Sequence, residues 1–184
     1  MNLRFREAKT TQAAARLLKL RGGHMSYMKL IKLLYLVDRA ALLRWGRPVT
    51  GDRYVSMDRG PVLSQTYNLI IDEPCPGEDT TWAHHISKPQ NYEVKLAKET
   101  SGDELSEAEA GLIEEIFGKF GGMNRWDLVD FVHKLPEWQN PDGSAVPISY
   151  RDILRAGGKT DSEIAAILQE IDGLALADAL LPAR

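Results

Sequence analysis

The twenty residues YMKLIKLLYLVDRAALLRWG, beginning at Tyr27, are apolar around most of a helical circumference. Met28, Ile31, Leu34, Tyr35, Ala41, Leu42 and Trp45 recur at helical spacing, and Leu30, Leu33, Val37 and Ala40 widen the stripe. A helix with so little polar face must be wrapped by other elements, so the chain is predicted to build around it. Ser26 is the predicted cap, and Lys29, Lys32 and Arg39 read as a basic polar edge. Asp38 is the exception, falling on the apolar side three residues after Tyr35. A lone buried carboxylate is costly, so Asp38 needs a partner. Arg47, Arg53 and Arg59 are the candidates downstream. With no second acid or nucleophile at a defined spacing, Asp38 reads as a structural ion pair or hydrogen-bonded carboxylate, not a base.

Around this helix the pattern is mostly helical. A first helix is predicted over residues 11–21, capped by Thr10 or Thr11 and stopped by Gly22-Gly23. Tyr54-Val55-Ser56-Met57 alternates at period two and reads as a short strand. Gly60-Pro61 then reads as a helix start, because proline suits the first helical position, and that helix runs to about Ile71. Asp72 to Thr81 is a Pro/Gly/acid loop. Trp82 to Ile86 and Tyr92 to Leu96 are expected to pair as a hairpin around Lys88-Pro89-Gln90-Asn91. Ser106 and Glu109 form a capping box ahead of a helix that ends at Gly121-Gly122. Asn124 caps another, Ser149 opens a brief one, and Thr160 with Glu163 opens a terminal helix that Gly173 is expected to break or fray. The expected fold is mainly α within an α+β class: a helical domain with a small two- or three-stranded antiparallel sheet.

Charge is unevenly spread. Residues 1–47 hold eleven Lys or Arg against Glu7 and Asp38, a local net of +9, so the remainder carries −12. Such a segment meets nucleic acid, an acidic partner, or the acidic rest of its own fold. Two helices joined by RGGHMS superficially resemble a helix-turn-helix, but the second is too apolar and too long to lie in a groove with one face free. DNA binding through these basic helices is therefore the alternative reading. A single cysteine, Cys75, rules out an internal disulfide and fits a reducing compartment. No stretch approaches the roughly 18 apolar residues of a membrane span, so a cytoplasmic protein without membrane contact is expected.

Chemistry finds little to stand on. His24, His84, His85 and His133 are the only histidines, and neighbours on the expected strand point to opposite faces. There is no C-x-x-C, H-E-x-x-H or G-x-S-x-G motif, and no glycine-rich phosphate loop follows a strand. No enzyme activity, metal or cofactor is expected.

The run MKLIKLLYLVDRAALLRWGRPVTGDRYVSMDRGPVLSQTYNLI resembles the signature of the Panacea domain, the SocA-like antitoxin family, whose members are also called phage-associated proteins. The matching residues are Lys32, Leu33, Leu34, Tyr35, Asp38, Gly46, Thr50, Gly51, Asp52, Tyr54, Gly60, Pro61, Val62 and Tyr67. In the second half, Leu105, Ser106 and Glu109 begin a similar helix, and His133 and Trp138 follow in order. The likeness covers roughly residues 10–156.

The resemblance implies an antitoxin that neutralises a cognate toxin by direct contact. In the SocA case it implies an adaptor that hands the toxin to the ClpXP protease. Residues 1–156 are then expected to form the Panacea-like domain, and 157–184 a helix and tail that serve the partner, dimerisation or the same domain. Tyr54, Arg59, Tyr67, His133 and Trp138 are the candidate partner-binding residues. Lys32, Tyr35, Asp38, Gly51, Gly60 and Pro61 are expected to be structural.

Overall fold

The computed structural model describes residues 3–71 and 80–180. The order is α1 (Glu7–Leu20), β1 (His24–Ser26), α2 (Tyr27–Trp45), β2 (Tyr54–Met57), β3 (Gly60–Leu63), α3 (Ser64–Ile71), α4 (Thr81–His85), β4 (Glu93–Lys95), α5 (Glu107–Phe120), α6 (Arg125–Val132), β5 (Val146–Ile148), α7 (Tyr150–Ala156) and α8 (Asp161–Leu180). The fold is mainly helical α+β with two small antiparallel sheets, in agreement with the sequence. β1 pairs with β4, and β2 lies between β3 and β5.

Helix α2 is the axis. Leu30, Leu33, Leu34, Tyr35, Val37, Ala41 and Leu42 are fully buried, against α1, α5, α6, α7 and β3. Gly46 ends it in a left-handed conformation at φ +71, the usual helix stop. α8 packs on through Ile164, Ile171 and Ala175, and the Ile167 side chain lies where a Cβ on Gly46 would meet it.

Several elements differ from expectation, each for a local reason. Gly60-Pro61 does not open a helix: it forms β3, with Pro61 opposite Ser56 and Gly60 opposite Met57. Pro61 suits an edge strand as well as a first helical turn, and Pro147 occupies the other edge of the same sheet. Helix α3 starts three residues later, at Ser64. Trp82 to His85 is helical, because the Thr80 hydroxyl caps it by accepting from the Ala83 N–H. The expected hairpin survives only as the antiparallel bridges Ile86–Leu96 and Gln90–Glu93, and β4 takes β1, the link from α1 to α2, as its strand partner in the register His24 to Lys95. Helix α1 begins at Glu7, and Thr10 and Thr11 sit inside it with their hydroxyls donating to the Arg6 and Glu7 carbonyls. Ser26 precedes α2 but makes no side-chain cap, and its buried Oγ has no partner. α8 continues through Gly173 to Leu180. Cys75 and most of the acidic loop lie outside the described residues.

The basic N-terminal segment faces its own acidic partner elements. Lys9 pairs with Glu109, Arg16 with Glu114, Lys19 with Glu99, Arg39 with Glu137 and Arg44 with Glu115. The exposed pairs contribute little stability, about 0–1 kcal/mol each; together the five pairs engage five of the segment's eleven cations, while Arg4, Arg6, Arg21 and Arg47 stay exposed.

Candidate functional site

The polar motif residues converge on the end of α2. Asp38 is fully buried. Its Oδ1 accepts from the Val49 N–H at 2.9 Å and the Thr50 N–H at 3.0 Å. Its Oδ2 accepts from the Thr50 hydroxyl and, at 3.0 Å, from the Tyr54 hydroxyl. Asp38 is thus a hydrogen-bonded carboxylate, and none of Arg47, Arg53 and Arg59 pairs with it. Burial pushes its carboxyl up to about 6 against the opposing pull of these hydrogen bonds. Burial and the adjoining Asp38 likewise raise the Tyr54 hydroxyl well above its usual range.

The Thr-Gly-Asp turn explains itself in the same way. Thr50 binds Asp38, while Asp52 reaches forward to the start of α3. There it accepts from the Gln65 and Thr66 N–H groups at 2.9 and 2.8 Å and from the Thr66 hydroxyl at 2.7 Å. Two orphan donors of the helix start are satisfied from thirteen and fourteen residues upstream. Gly51 between them has φ +68, and a Cβ there would sit 2.3 Å from the Arg4 carbonyl oxygen. Gly60 is similarly constrained: at φ +94, an added Cβ would sit 2.6 Å from Val132 Cγ2.

The lysines of α2 are not a solvated edge. Lys29 donates at 2.6 Å to the carbonyls of Gly121 and Met123, capping the end of α5, where a cation is favoured by the helix dipole. Lys32 is 1% exposed and donates at 2.7 Å to the Pro61 carbonyl. Burial lowers its ammonium to about 7.

Beside Lys32 lies a cavity of about 250 Å³, lined by Tyr27, Met28, Ile31, Lys32, Met57, Asp58, Arg59, Val62, Tyr67, Gly143 and Ser144. Among the sequence candidates, Arg59 and Tyr67 meet here, Arg59 exposed and Tyr67 half-buried. Arg59 also lies over the exposed Trp126 ring, 5.7 Å from its centroid. Tyr54 is in the core, 3% exposed, and edge-on to Tyr35 at 5.6 Å. His133 and Trp138 stack on each other at 4.2 Å. The Trp138 Nε1–H donates to the Met57 carbonyl at 3.2 Å, so this pair clamps the long loop before β5 onto β2.

One important residue escapes the sequence reading. Glu137 is buried and accepts from both the Tyr35 hydroxyl and Arg39 Nε. Tyr35 and Arg39 on one turn of α2 were the only available signal, and they name no partner. Among the described residues no group of three His, Cys, Asp or Glu side chains could hold a metal ion, and no helix is long and apolar enough to cross a membrane. His84 and His85 sit on α4 rather than a strand.

Fold and site together define an α+β domain whose motif residues close a polar core beside a small charged cavity. Residues 30–139 match the family described as antitoxin SocA-like, Panacea domain, and the chain belongs to that family. Neither the curated proteins nor the solved structures compared with it returned a match.

Proposed function

We propose that the protein is a cytoplasmic antitoxin that neutralises a cognate toxin by direct protein–protein contact. Membership of the antitoxin SocA-like family over residues 30–139 carries this reading. The buried carboxylates support it, because Asp38 and Asp52 of the motif and Glu137 beside it each spend lone pairs on named donors within the fold. What remains at the surface is a recess and exposed aromatic rings, the features of a binding protein.

The test is genetic and then biochemical. A neighbouring gene expressed alone is expected to arrest growth, co-expression of this chain to restore it, and the two products to co-purify. A harmless neighbour, or arrest that persists with the chain present, would sink the reading. Repeating the rescue in cells lacking ClpX asks how neutralisation works: rescue that persists means that binding suffices, and rescue that disappears means that the chain delivers the toxin for proteolysis.

A further inference from the structure

The cavity at the start of α2 holds more positive charge than the fold uses. Lys32 makes its hydrogen bond to a carbonyl, not a carboxylate. Arg59 rests on the Trp126 ring, and among the described residues no carboxylate pairs with it. Asp58 supplies the only negative charge in the lining, and it already accepts from the Gly143 N–H at 3.1 Å. The Arg59 guanidinium and the Lys32 amine thus face one occupied carboxylate. Buried charge is ordinarily paired, and this lysine is fully buried with a carbonyl, not a counter-ion, as its partner.

The surroundings suit a side chain, not a cofactor. At about 250 Å³ the space falls below the ~300–1,000 Å³ typical of small-molecule sites. Met28 and Met57 line it, and methionine adapts its shape to what it meets. Tyr27 belongs both to this cavity and to a shallow depression with Ile70, Ile71, Pro89 and Tyr92. Ile71, Tyr92 and, beyond Arg59, Trp126 are large apolar side chains left exposed. Large apolar side chains left exposed beside a charged recess favour an interaction site.

We propose that this cavity receives the carboxylate side chain of an acidic–hydrophobic segment of a partner protein. Lys32 and Arg59 supply the positive charge, and the Tyr27–Tyr92 surface takes the adjoining apolar residue. The partner's identity as a toxin rests on the antitoxin reading; the recognition chemistry does not. A bound carboxylate would restore the charge that burial removes from Lys32. Electrostatic attraction in this enclosed place exceeds that of a surface pair.

The experiment uses the full chain with ¹³C-methyl methionine and follows Met28 and Met57. Acetyl-Phe-Glu-amide is titrated against acetyl-Phe-Gln-amide. The glutamate peptide is expected to shift both methyls saturably and to bind about tenfold tighter, the effect of one charge-assisted hydrogen bond. Arg59→Gln should remove most of that preference, and Lys32→Met all of it. If Lys32→Met does not fold, the exposed Arg59 variant still decides. Equal binding of the two peptides, no saturable shift, or an unchanged preference in Arg59→Gln overturns the proposal. Peptide preference without rescue of a growth-arresting neighbour would defeat the antitoxin reading and leave the site standing. Rescue with no peptide preference would do the reverse.

Discussion

The Tyr35 hydroxyl donates to Glu137 Oε1 at 2.9 Å across 102 residues of chain, and Arg39 Nε donates to the same oxygen at 2.6 Å. This junction fastens the loop after α6 to the central helix. It also explains why Trp138, the next residue, can stack on His133 and donate to β2.

Glu137→Ala leaves a buried hydroxyl and a largely buried guanidinium without their acceptor. Unfolding in urea should show a loss of about 2–3 kcal/mol, the range for breaking a buried pair discounted for the partial exposure of Arg39. Glu137→Gln keeps an acceptor for Tyr35 and should lose only about 1 kcal/mol. Equal losses for both variants would mean that the charge of Glu137 is irrelevant.

Asp38 separates hydrogen bonding from charge. An asparagine can accept the two backbone N–H groups on Oδ1 and donate from Nδ2 to the Thr50 and Tyr54 hydroxyls, which can turn to accept. Asp38→Asn should therefore fold with a change within about 1 kcal/mol, while Asp38→Ala, with four donors orphaned, should lose about 3 kcal/mol or more. Burial raises the native carboxyl to about 6 from an ordinary 3.8. Between those values the native state keeps a proton that the unfolded chain has released. Wild type should accordingly lose stability relative to Asp38→Asn as pH rises from 4 to 6, by on the order of 2 kcal/mol. Parallel pH curves for the two proteins would refute this.

These interactions show what was legible in the sequence. The 3.6-residue stripe of α2 is a strong signal, and an acid inside it had to be satisfied locally, so Asp38 stood out. Its partners did not, because backbone N–H groups and hydroxyls at 49, 50 and 54 carry no charge pattern. Gly60-Pro61 fits a helix start and an edge strand equally well, and only pairing with Tyr54–Met57 decides between them. The three-residue strands β1 and β5 are too short for periodicity; β4 shows in the Tyr92–Leu96 alternation, but its partner β1 lies about 70 residues away, and β5 pairs about 90 residues back with β2. Lys29 and Lys32 looked solvated because sequence cannot show a carbonyl waiting at the end of another element. The cavity was half visible, through Arg59 and Tyr67; Tyr27, Met28 and Met57 had read as helix start, core and strand.

Lys32 should leave a signature on the alkaline side. Its native value of about 7 lies below the ordinary 10.5. Above pH 7 the unfolded chain therefore binds more protons than the native state, and stability rises with pH. The slope approaches about 1.4 kcal/mol per pH unit at most. Burial raises the hydroxyls of Tyr35, Tyr54 and Tyr150, so their contributions are lost only as the pH passes about 10. Burial lowers the Lys29 ammonium as well, so urea unfolding between pH 7 and 9 should show wild type gaining more stability than Lys32→Met, the difference belonging to Lys32. A flat wild-type curve would show that Lys32 remains charged in the fold.

Tyr92 sits where a hairpin turn would ordinarily use glycine. Gln90 and Glu93 exchange both backbone hydrogen bonds, at 2.8 and 3.0 Å, and the two residues between them have φ of +51 at Asn91 and +65 at Tyr92. Asn-Gly is the favoured pair for such a turn, and a side chain held left-handed costs roughly 1 kcal/mol. The ring recovers part of that cost against Tyr27, with centroids 6.4 Å apart, yet it remains 63% exposed. The strain therefore presents an aromatic surface beside the Arg59 cavity. Tyr92→Gly should leave stability unchanged or raise it by about 0.5 kcal/mol, since relief of strain outweighs a partly solvated ring contact. The same variant should capture less of a growth-arresting neighbour in co-purification at matched expression. A variant that loses stability and keeps full capture would make Tyr92 a structural residue instead.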